Sequence, residues 1–426
     1  MSSYFIVNGR VIDPASRTDG KLSVLVRGGK IEQVTPSRKA PEGAQVLDAS
    51  GCVVAPGFID MHVHLRDPGQ EYKEDIESGT RAAAAGGLAT VCCMPNTDPV
   101  IDCASVAEYV LEKAGRLGAT GVIPIGSITR GGKGEAMSDI GDLASAGACA
   151  ISDDGRSVMN SGLMRRAMEY ATAFGLPVIS HCEDAALAGG AVMNEGLVST
   201  ELGLQGMPAA AEELMVARDI MLAELTGARL HIAHASTMGT VELIRRAKRR
   251  GIRVTAEVTP HHLTLTDEAV SDFDPNTKVN PPLRTEADRR ALIKALADGT
   301  IDAIATDHAP HNIIDKEMGF EEAAFGISGL ETMLPLALAL VAERKLTLKR
   351  LVEALSAAPA RILGLKGKGS LKPGSDADIT IFDPSAAWTV DASRFASRGK
   401  NTPFNGLRVM GRARWTIVRG RIAFAG

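Results

Sequence analysis

The chain lacks the features by which several function classes are first noticed. Its 426 residues carry a formal net charge of only -4, so no basic surplus draws it to nucleic acid or to an anionic membrane surface. No uninterrupted apolar run approaches the roughly 18 residues that a membrane span needs. The opening Met1-Ser2-Ser3-Tyr4-Phe5-Ile6-Val7-Asn8-Gly9-Arg10 has neither the basic start nor the long apolar stretch of a secretory signal. The six cysteines (Cys52, Cys92, Cys93, Cys103, Cys149 and Cys182) form no C-x-x-C pair, which leaves no closed thiolate cage and suggests buried, reduced thiols in a cytoplasmic protein. Aromatic residues make up only 4%, against 45% hydrophobic and 23% charged, an ordinary soluble composition. A small-molecule substrate is therefore expected, with no nucleic acid and no membrane as partner.

The two ends of the chain share one character. Tyr4 to Val7, Val11-Ile12, Leu22 to Val26 and Ile31 to Val34 are short strand-like runs separated by turns such as Asn8-Gly9 and Gly28-Gly29. Residues 378–383, 414–419 and 421–424 repeat that pattern near the C-terminus. This suggests a small composite β domain, a β-sandwich, built from 1–55 plus 365–426. Between them, 56–364 alternates strand-like runs (57–65, 89–94, 121–126, 148–152, 177–181, 229–233, 253–258 and 303–305) with helical ones such as 73–85, 163–174, 211–225, 241–250 and 286–297. Such alternation marks βα units. The fold class expected is α/β, a (β/α)8 TIM barrel carrying that small domain. An open doubly wound sheet is the alternative, but no Gly-x-Gly-x-x-Gly follows the first strand.

What the chain does contain is a set of polar clusters placed where apolar runs stop: His62-Val63-His64, Asp153-Asp154-Gly155, His181-Cys182-Glu183, His231-Ile232-Ala233-His234 and Thr306-Asp307-His308. Each alone has a plain structural reading, as a satisfied histidine, a turn or a helix cap. Together they fall after strands one, four, five, six and eight, and a barrel of this class works at the C-terminal ends of its strands. On a strand, residues two apart face the same way, so His62 and His64 converge. Four imidazoles and two carboxylates gathered there would hold two divalent metals. Nitrogen and oxygen donors without thiolate suit Zn²⁺, with Mn²⁺ or Co²⁺ as alternatives. Cys182 faces away from His181 by the same alternation, and His231, His261, His262 and His308 are read as packing or supporting groups.

The run Pro56-Gly57-Phe58-Ile59-Asp60-Met61-His62-Val63-His64-Leu65-Arg66 resembles the first strand of the cyclic amidohydrolases, which include dihydroorotases, hydantoinases and allantoinases. Met94-Pro95-Asn96-Thr97, Val279-Asn280-Pro281-Pro282-Leu283-Arg284, Ala305 to His311 and Phe325-Gly326-Ile327-Ser328-Gly329-Leu330-Glu331-Thr332 are similar to the class I dihydroorotases, as is Gly369 to Asp378 to the closing motif of the superfamily. The resemblance implies that His62, His64 and Asp307 bind one metal, that His181 and His234 bind the other, and that Asp154 bridges them. Asp154 is preferred to Asp153 by the family's spacing to His181. Hydantoinases place a carboxylated lysine at the bridge, and residues 148–156 contain no lysine. Ala324 departs from the family's usual proline before Phe325.

The expected reaction is the reversible cyclisation of N-carbamoyl-L-aspartate to L-dihydroorotate, a step of pyrimidine biosynthesis. In the reverse direction a metal-bridging hydroxide attacks the ring amide and Asp307 shuttles the proton. Arg66 would fork onto the substrate carboxylate, its plainer reading being a rim salt bridge with Asp67. His64, Asn96, Asn280, His311 and the backbone of Phe325 and Gly326 would hold the rest of the substrate. Residues 312–322 are read as a mobile lid or an ordinary solvated loop. Another cyclic amidase, such as a dihydropyrimidinase or allantoinase, is the same-class rival. A non-catalytic scaffold for aspartate carbamoyltransferase is the rival of another class, although a scaffold has no need of the six donors. A homodimer is expected, and association with aspartate carbamoyltransferase is left open.

Overall fold

The computed structural model describes residues 3–426. Eight parallel strands organise the middle of the chain: β1 (Phe58–Val63), β2 (Leu88–Cys93), β3 (Gly121–Pro124), β4 (Ile151–Ser152), β5 (Val178–Ser180), β6 (Leu230–Ile232), β7 (Val254–Val258) and β8 (Ala303–Ile304). The first three pair in chain order, and so do the last five. Parallel bridges from Gly126 to Ile151 and from Val63 to His308 join the two sets at both seams, so the ring closes. The closed TIM barrel, not the open sheet, is the architecture. Its strands are buried along nearly their whole length, as a parallel sheet covered by helices requires.

Alternate side chains of the strands go to two different cores. Val91 and Cys93 of β2 pack with the surrounding helices, whereas Cys92 joins Met61, Ile125, Ala150, Ile179 and Ala303 in a cluster drawn from the other strands, the filled interior of such a barrel. In β1 a register shift between Asp60 and Val63 breaks the regular pairing with β2; a bulge of this kind re-aims side chains, and His62 and His64 lie in and just after it.

The helices begin and end where local chemistry directs. The helix expected over 73–85 starts only at Ile76, because Asp75 caps it by accepting from Ser78 N, with Ser78 completing a capping box. The one expected over 211–225 runs from Ala209 to Thr226, after Pro208 and up to Gly227, whose φ of 70° terminates it. The fourth barrel strand is far shorter than 148–152, being confined to Ile151–Ser152.

Both termini build the β-rich part. A four-stranded sheet orders Lys30–Thr35, Ser23–Arg27, Tyr4–Val7 and Gln45–Asp48. A six-stranded sheet orders Arg421–Ala425, Arg408–Val418, Ile379–Thr389, Val53–Pro56, Arg10–Asp13 and Thr18–Lys21. One apolar core joins them, with Tyr4, Ile6, Val24 and Val26 from the first and Val11, Val54, Ile379 and Ile417 from the second. The C-terminal part does more than this. Residues 396–401 leave the sheets and reach the barrel, where Ser397 and Arg398 bond Glu74 and Asn401 bonds residues 309 to 328. Among the described residues no helix is long and apolar enough to cross a membrane.

Candidate metal centre at the barrel mouth

The six donors named from the sequence meet at one point. Asp154 stands at the centre: its Oδ1 is 3.3 Å from His62 Nε2, 3.6 Å from His234 Nε2 and 3.8 Å from His181 Nδ1, and its Oδ2 is 3.4 Å from His64 Nε2. Asp307 Oδ1 closes the other side, 3.0 Å from His64 Nε2 and 3.4 Å from His62 Nε2. His62, His64 and Asp307 form one group able to hold a metal ion, and His62, Asp154 and His234 a second. Asp153 turns away from the centre, accepting from Ser127 Oγ at 2.6 Å and from Thr129 N at 2.9 Å.

Support from behind sets the tautomers. His62 Nδ1 donates to Glu257 Oε1 at 2.6 Å, which points the lone pair of Nε2 into the cluster. His64 Nδ1 donates to Asn96 Oδ1 at 2.8 Å, with the same result. His181 Nε2 faces Glu183 Oε2 at 3.3 Å, and Nδ1 turns into the centre, where it lies 2.9 Å from His234 Nε2. Consequently His62 Nε2 and Asp154 Oδ1, both fully buried, face each other without a hydrogen bond. An unprotonated Nε2 lone pair against a carboxylate oxygen is repulsive, and a cation between them, a proton or a metal ion, removes the conflict. The donor set therefore fits a metal ion.

Electrostatics point the same way. Burial opposes a charged His62, yet the carboxylates of Asp154, Asp307 and Glu257 overcome it and raise its pKa well above the usual range. Burial likewise opposes ionised Asp154 and Asp307, but the surrounding histidines, His62 first, hold both below the ordinary carboxylate range. The cluster is thus built to concentrate negative charge and accept positive charge. Two of its members, His234 (φ 30°) and Asp307 (φ 47°), and the neighbouring Arg66 (φ 58°) adopt backbone conformations rare for side-chain-bearing residues. Strain held at one site by surrounding structure is characteristic of functional positions.

The remaining candidates line a cavity of about 240 Å³ over this centre, together with His64, Asp154 and Asp307. Arg66 is not paired with Asp67, which binds Lys113 at 2.8 Å instead; its guanidinium lies beside Pro310 O and His311. His311 Nε2–H donates to Phe325 O at 2.9 Å, while Nδ1 makes no hydrogen bond and lies 3.6 Å from Asp315 Oδ2. Burial and then Arg66 push its pKa down to about 2, so the ring is neutral. Asn280 Nδ2 donates to Glu183 Oε2 at 2.7 Å and leaves Oδ1 unpaired. Asn96 gives its oxygen to His64, so only its amide nitrogen is available to a ligand. Gly326 (φ 139°) leaves no room for a side chain, since a Cβ would stand 2.6 Å from Ala309 O. Residues 312–322 are held rather than loose: Ile313–Lys316 forms a capped helical turn, and Lys316 donates to Pro275 O at 2.8 Å and Ala324 O at 2.6 Å.

Three of the histidines outside the donor set take supporting positions, while His261 is buried with its Nε2 unbonded. His231 bonds Glu257 and Thr255, His308 faces Glu74 and accepts from Gly329 N, and His262 bonds Thr259 and Pro281. All six cysteines are free and all but Cys103 are buried; burial and then Asp219 push the Cys182 thiol well up, which suits an inert thiol rather than a nucleophile. Glu257 was not singled out in the sequence, and Glu183 and Asp60 stood within the quoted motifs without a role. Glu257 was detectable as the one charge inside the apolar run 254–258. Asp60, which bonds Thr306 Oγ1 at 2.6 Å and Thr306 N, carries the same kind of signal.

Comparison with known proteins agrees along the whole chain. A dihydro-orotase-like family model matches residues 51–240, and an amidohydrolase family model matches residues 223–424. A dihydroorotase of Geobacter metallireducens is 56% identical, with 99% of each chain covered. One of Anaeromyxobacter dehalogenans is 55% identical over 98% of this chain and 97% of its own. Among solved structures, an L-hydantoinase (dihydropyrimidinase) from Arthrobacter aurescens matches with TM-score 0.89 at 28% identity, covering 99% of this chain and 96% of that one. A dihydropyrimidinase from Brevibacillus agri matches with TM-score 0.86 at 25% identity, covering 99% and 95%.

Proposed function

Since the chain belongs to the dihydroorotase family of the amidohydrolases, we propose that it interconverts L-dihydroorotate and N-carbamoyl-L-aspartate at the centre just described. The observation that carries this reading is the buried, unbonded pairing of His62 Nε2 with Asp154 Oδ1 amid four further donors, below a mouth that carries Arg66. The donor set suits Zn²⁺: His62, His64 and Asp307 would hold one ion and His181 and His234 a second, with Asp154 within reach of both. Bound there, such a pair would acidify a water molecule and polarise the substrate's amide carbonyl.

The residues themselves do the rest. Arg66 offers a planar fork to the substrate carboxylate, a group that hydantoin and allantoin lack. Asn280 Oδ1 and His311 Nδ1, acceptors outside the six donors that make no hydrogen bond, receive the N–H groups of the ring. In ring opening the water oxygen bonds to the amide carbon and the C–N bond breaks. Asp307 takes the water's proton and delivers it to the departing nitrogen; cyclisation is the reverse. Its Oδ1 lies 3.0 Å from His64 Nε2, and its side chain, 13% exposed, reaches the cavity. Glycine at 326 lets the backbone approach the substrate edge.

Elemental analysis of the pure protein, coupled to steady-state turnover of dihydroorotate, hydantoin and allantoin, tests the reading. Bound divalent metal with a strong preference for dihydroorotate is expected. Preference for either competitor, or turnover undiminished after chelation, would overturn it.

A further inference from the structure

Asn401 lies in the C-terminal segment, far in sequence from every residue of the centre, and is nearly fully buried. Its side chain makes more contacts than its size would suggest. Nδ2 donates to Ala309 O at 3.0 Å and to Gly326 O at 2.9 Å. Oδ1 accepts from His311 N at 2.9 Å and from Ser328 Oγ at 2.9 Å. Its backbone oxygen accepts from Ser328 N at 2.7 Å. One amide thus uses both donors and both acceptor positions, and all four partners belong to the two backbone stretches that flank the cavity beside Arg66.

The segment that brings it there is itself fastened. Ser397 Oγ and Arg398 N both bond Glu74, and Glu74 Oε2 lies 3.4 Å from His308 Nε2, next in sequence to Asp307. Among the described residues no other side chain donates to both the Ala309 and the Gly326 carbonyl. Removing it leaves two buried carbonyls and the His311 N–H without partners, and the two stretches are then joined only by Ala309 N–H to Ile327 O at 2.9 Å and His311 Nε2–H to Phe325 O, so the carbonyl ends are less firmly held.

We infer that Asn401 is a positioning residue for substrate binding, holding His311 and Gly326 in register with each other from the C-terminal segment. The inference rests on the placement of His311 and Gly326 at the substrate under the function proposed above. It acts on binding of the ring and not on the metal centre, since Asn401 touches none of the six donors. A misplacement of about 1 Å at a positioning group is enough for a change on the order of a hundredfold.

The test uses full-length protein carrying Asn401→Asp, which keeps Oδ1 for His311 and Ser328 but turns the double donor into an acceptor, and Ser328→Ala, a milder change that loosens the same amide. For Asn401→Asp, KM for dihydroorotate should rise about tenfold to a hundredfold while kcat falls less than about threefold, with metal content unchanged. Ser328→Ala should shift KM the same way by a smaller factor. Amide hydrogen exchange should speed up at Ala309, His311 and Gly326 in both. An unchanged KM in folded variants, or an equal fall in kcat and kcat/KM with loss of metal, overturns the inference. Wild-type protein with no turnover of dihydroorotate would instead refute the proposed reaction, and the exchange measurement then still decides the clamp: unchanged protection at Ala309, His311 and Gly326 rejects it.

Discussion

Replacing Glu257 by Gln asks whether the centre is organised from behind. Glu257 is completely buried on β7, with Oε1 2.6 Å from His62 Nδ1 and Oε2 3.2 Å from His231 Nε2. Burial alone would raise its pKa, but His62 and His231 overcome it and bring it to about 2. The group is therefore an ionised carboxylate at working pH, and a hydrogen bond to such a group is worth roughly 1.5 to 3 kcal/mol. Gln keeps the shape and one acceptor, so His62 can stay in place; what disappears is the negative charge that makes its Nε2 a stronger donor to a metal. Partners of this kind typically change metal affinity about 10- to 100-fold, or about 1.4 to 2.7 kcal/mol. Metal-free protein titrated with Zn²⁺ against a chromogenic chelator reads the affinity directly, and thermal unfolding of the metal-free form shows whether the fold survives. Weaker binding by that factor, with turnover largely restored at saturating metal, is expected. Wild-type affinity in Glu257→Gln would refute the idea that this carboxylate tunes His62.

Three other perturbations separate the roles of the remaining groups. Asp307→Asn keeps the shape of the side chain but cannot carry the proton, so kcat should fall on the order of 10² to 10⁴-fold while the far-ultraviolet circular dichroism stays unchanged; full activity removes Asp307 from proton transfer. Arg66→Ala should raise KM for dihydroorotate by about 10 to 100-fold, in line with the roughly 1.5 to 3 kcal/mol of a charged hydrogen bond, with a smaller change in kcat; wild-type KM would place the carboxylate elsewhere. Lys316, mostly buried, has its pKa lowered to about 7 by burial and then Lys278, from an ordinary 10.5 in the unfolded chain. Between pH 7 and 10.5 the unfolded state binds the extra proton, so stability relative to Lys316→Met should rise with pH across that window, by a few kcal/mol in all. A difference flat in pH, measured by urea unfolding at pH 7, 8.5 and 10, contradicts the lowered pKa of the buried amine.

How far the molecule could be read from its sequence depends on the range of the interactions involved. The eight strands were visible because each is a short apolar run ended by polar residues, and the six donors because they sit at those ends, where His62 and His64 advertise a shared face by spacing alone. The choice between Asp153 and Asp154 was not visible in the residues themselves, since adjacent carboxylates differ only in which way the strand end turns; it took Ser127 and Thr129 to show Asp153 facing outward. Glu257 illustrates a signal that was present but unused: a charge inside a buried strand must have a partner, although its sequence does not reveal that the partner is His62, 195 residues away. Asn401 gives no such hint, because Asn-Thr-Pro reads equally well as a turn, and its acceptors at Ala309 and Gly326 lie 92 and 75 residues away. The residues expected to meet the metals and the substrate are thus marked locally by strand geometry. The ones that hold them in place become visible only once the barrel closes and the C-terminal segment is laid against its mouth. A reading confined to motifs will find such donors more readily than the groups that aim them, which is why Glu257→Gln and Asn401→Asp are more searching tests of this architecture than loss of any single donor.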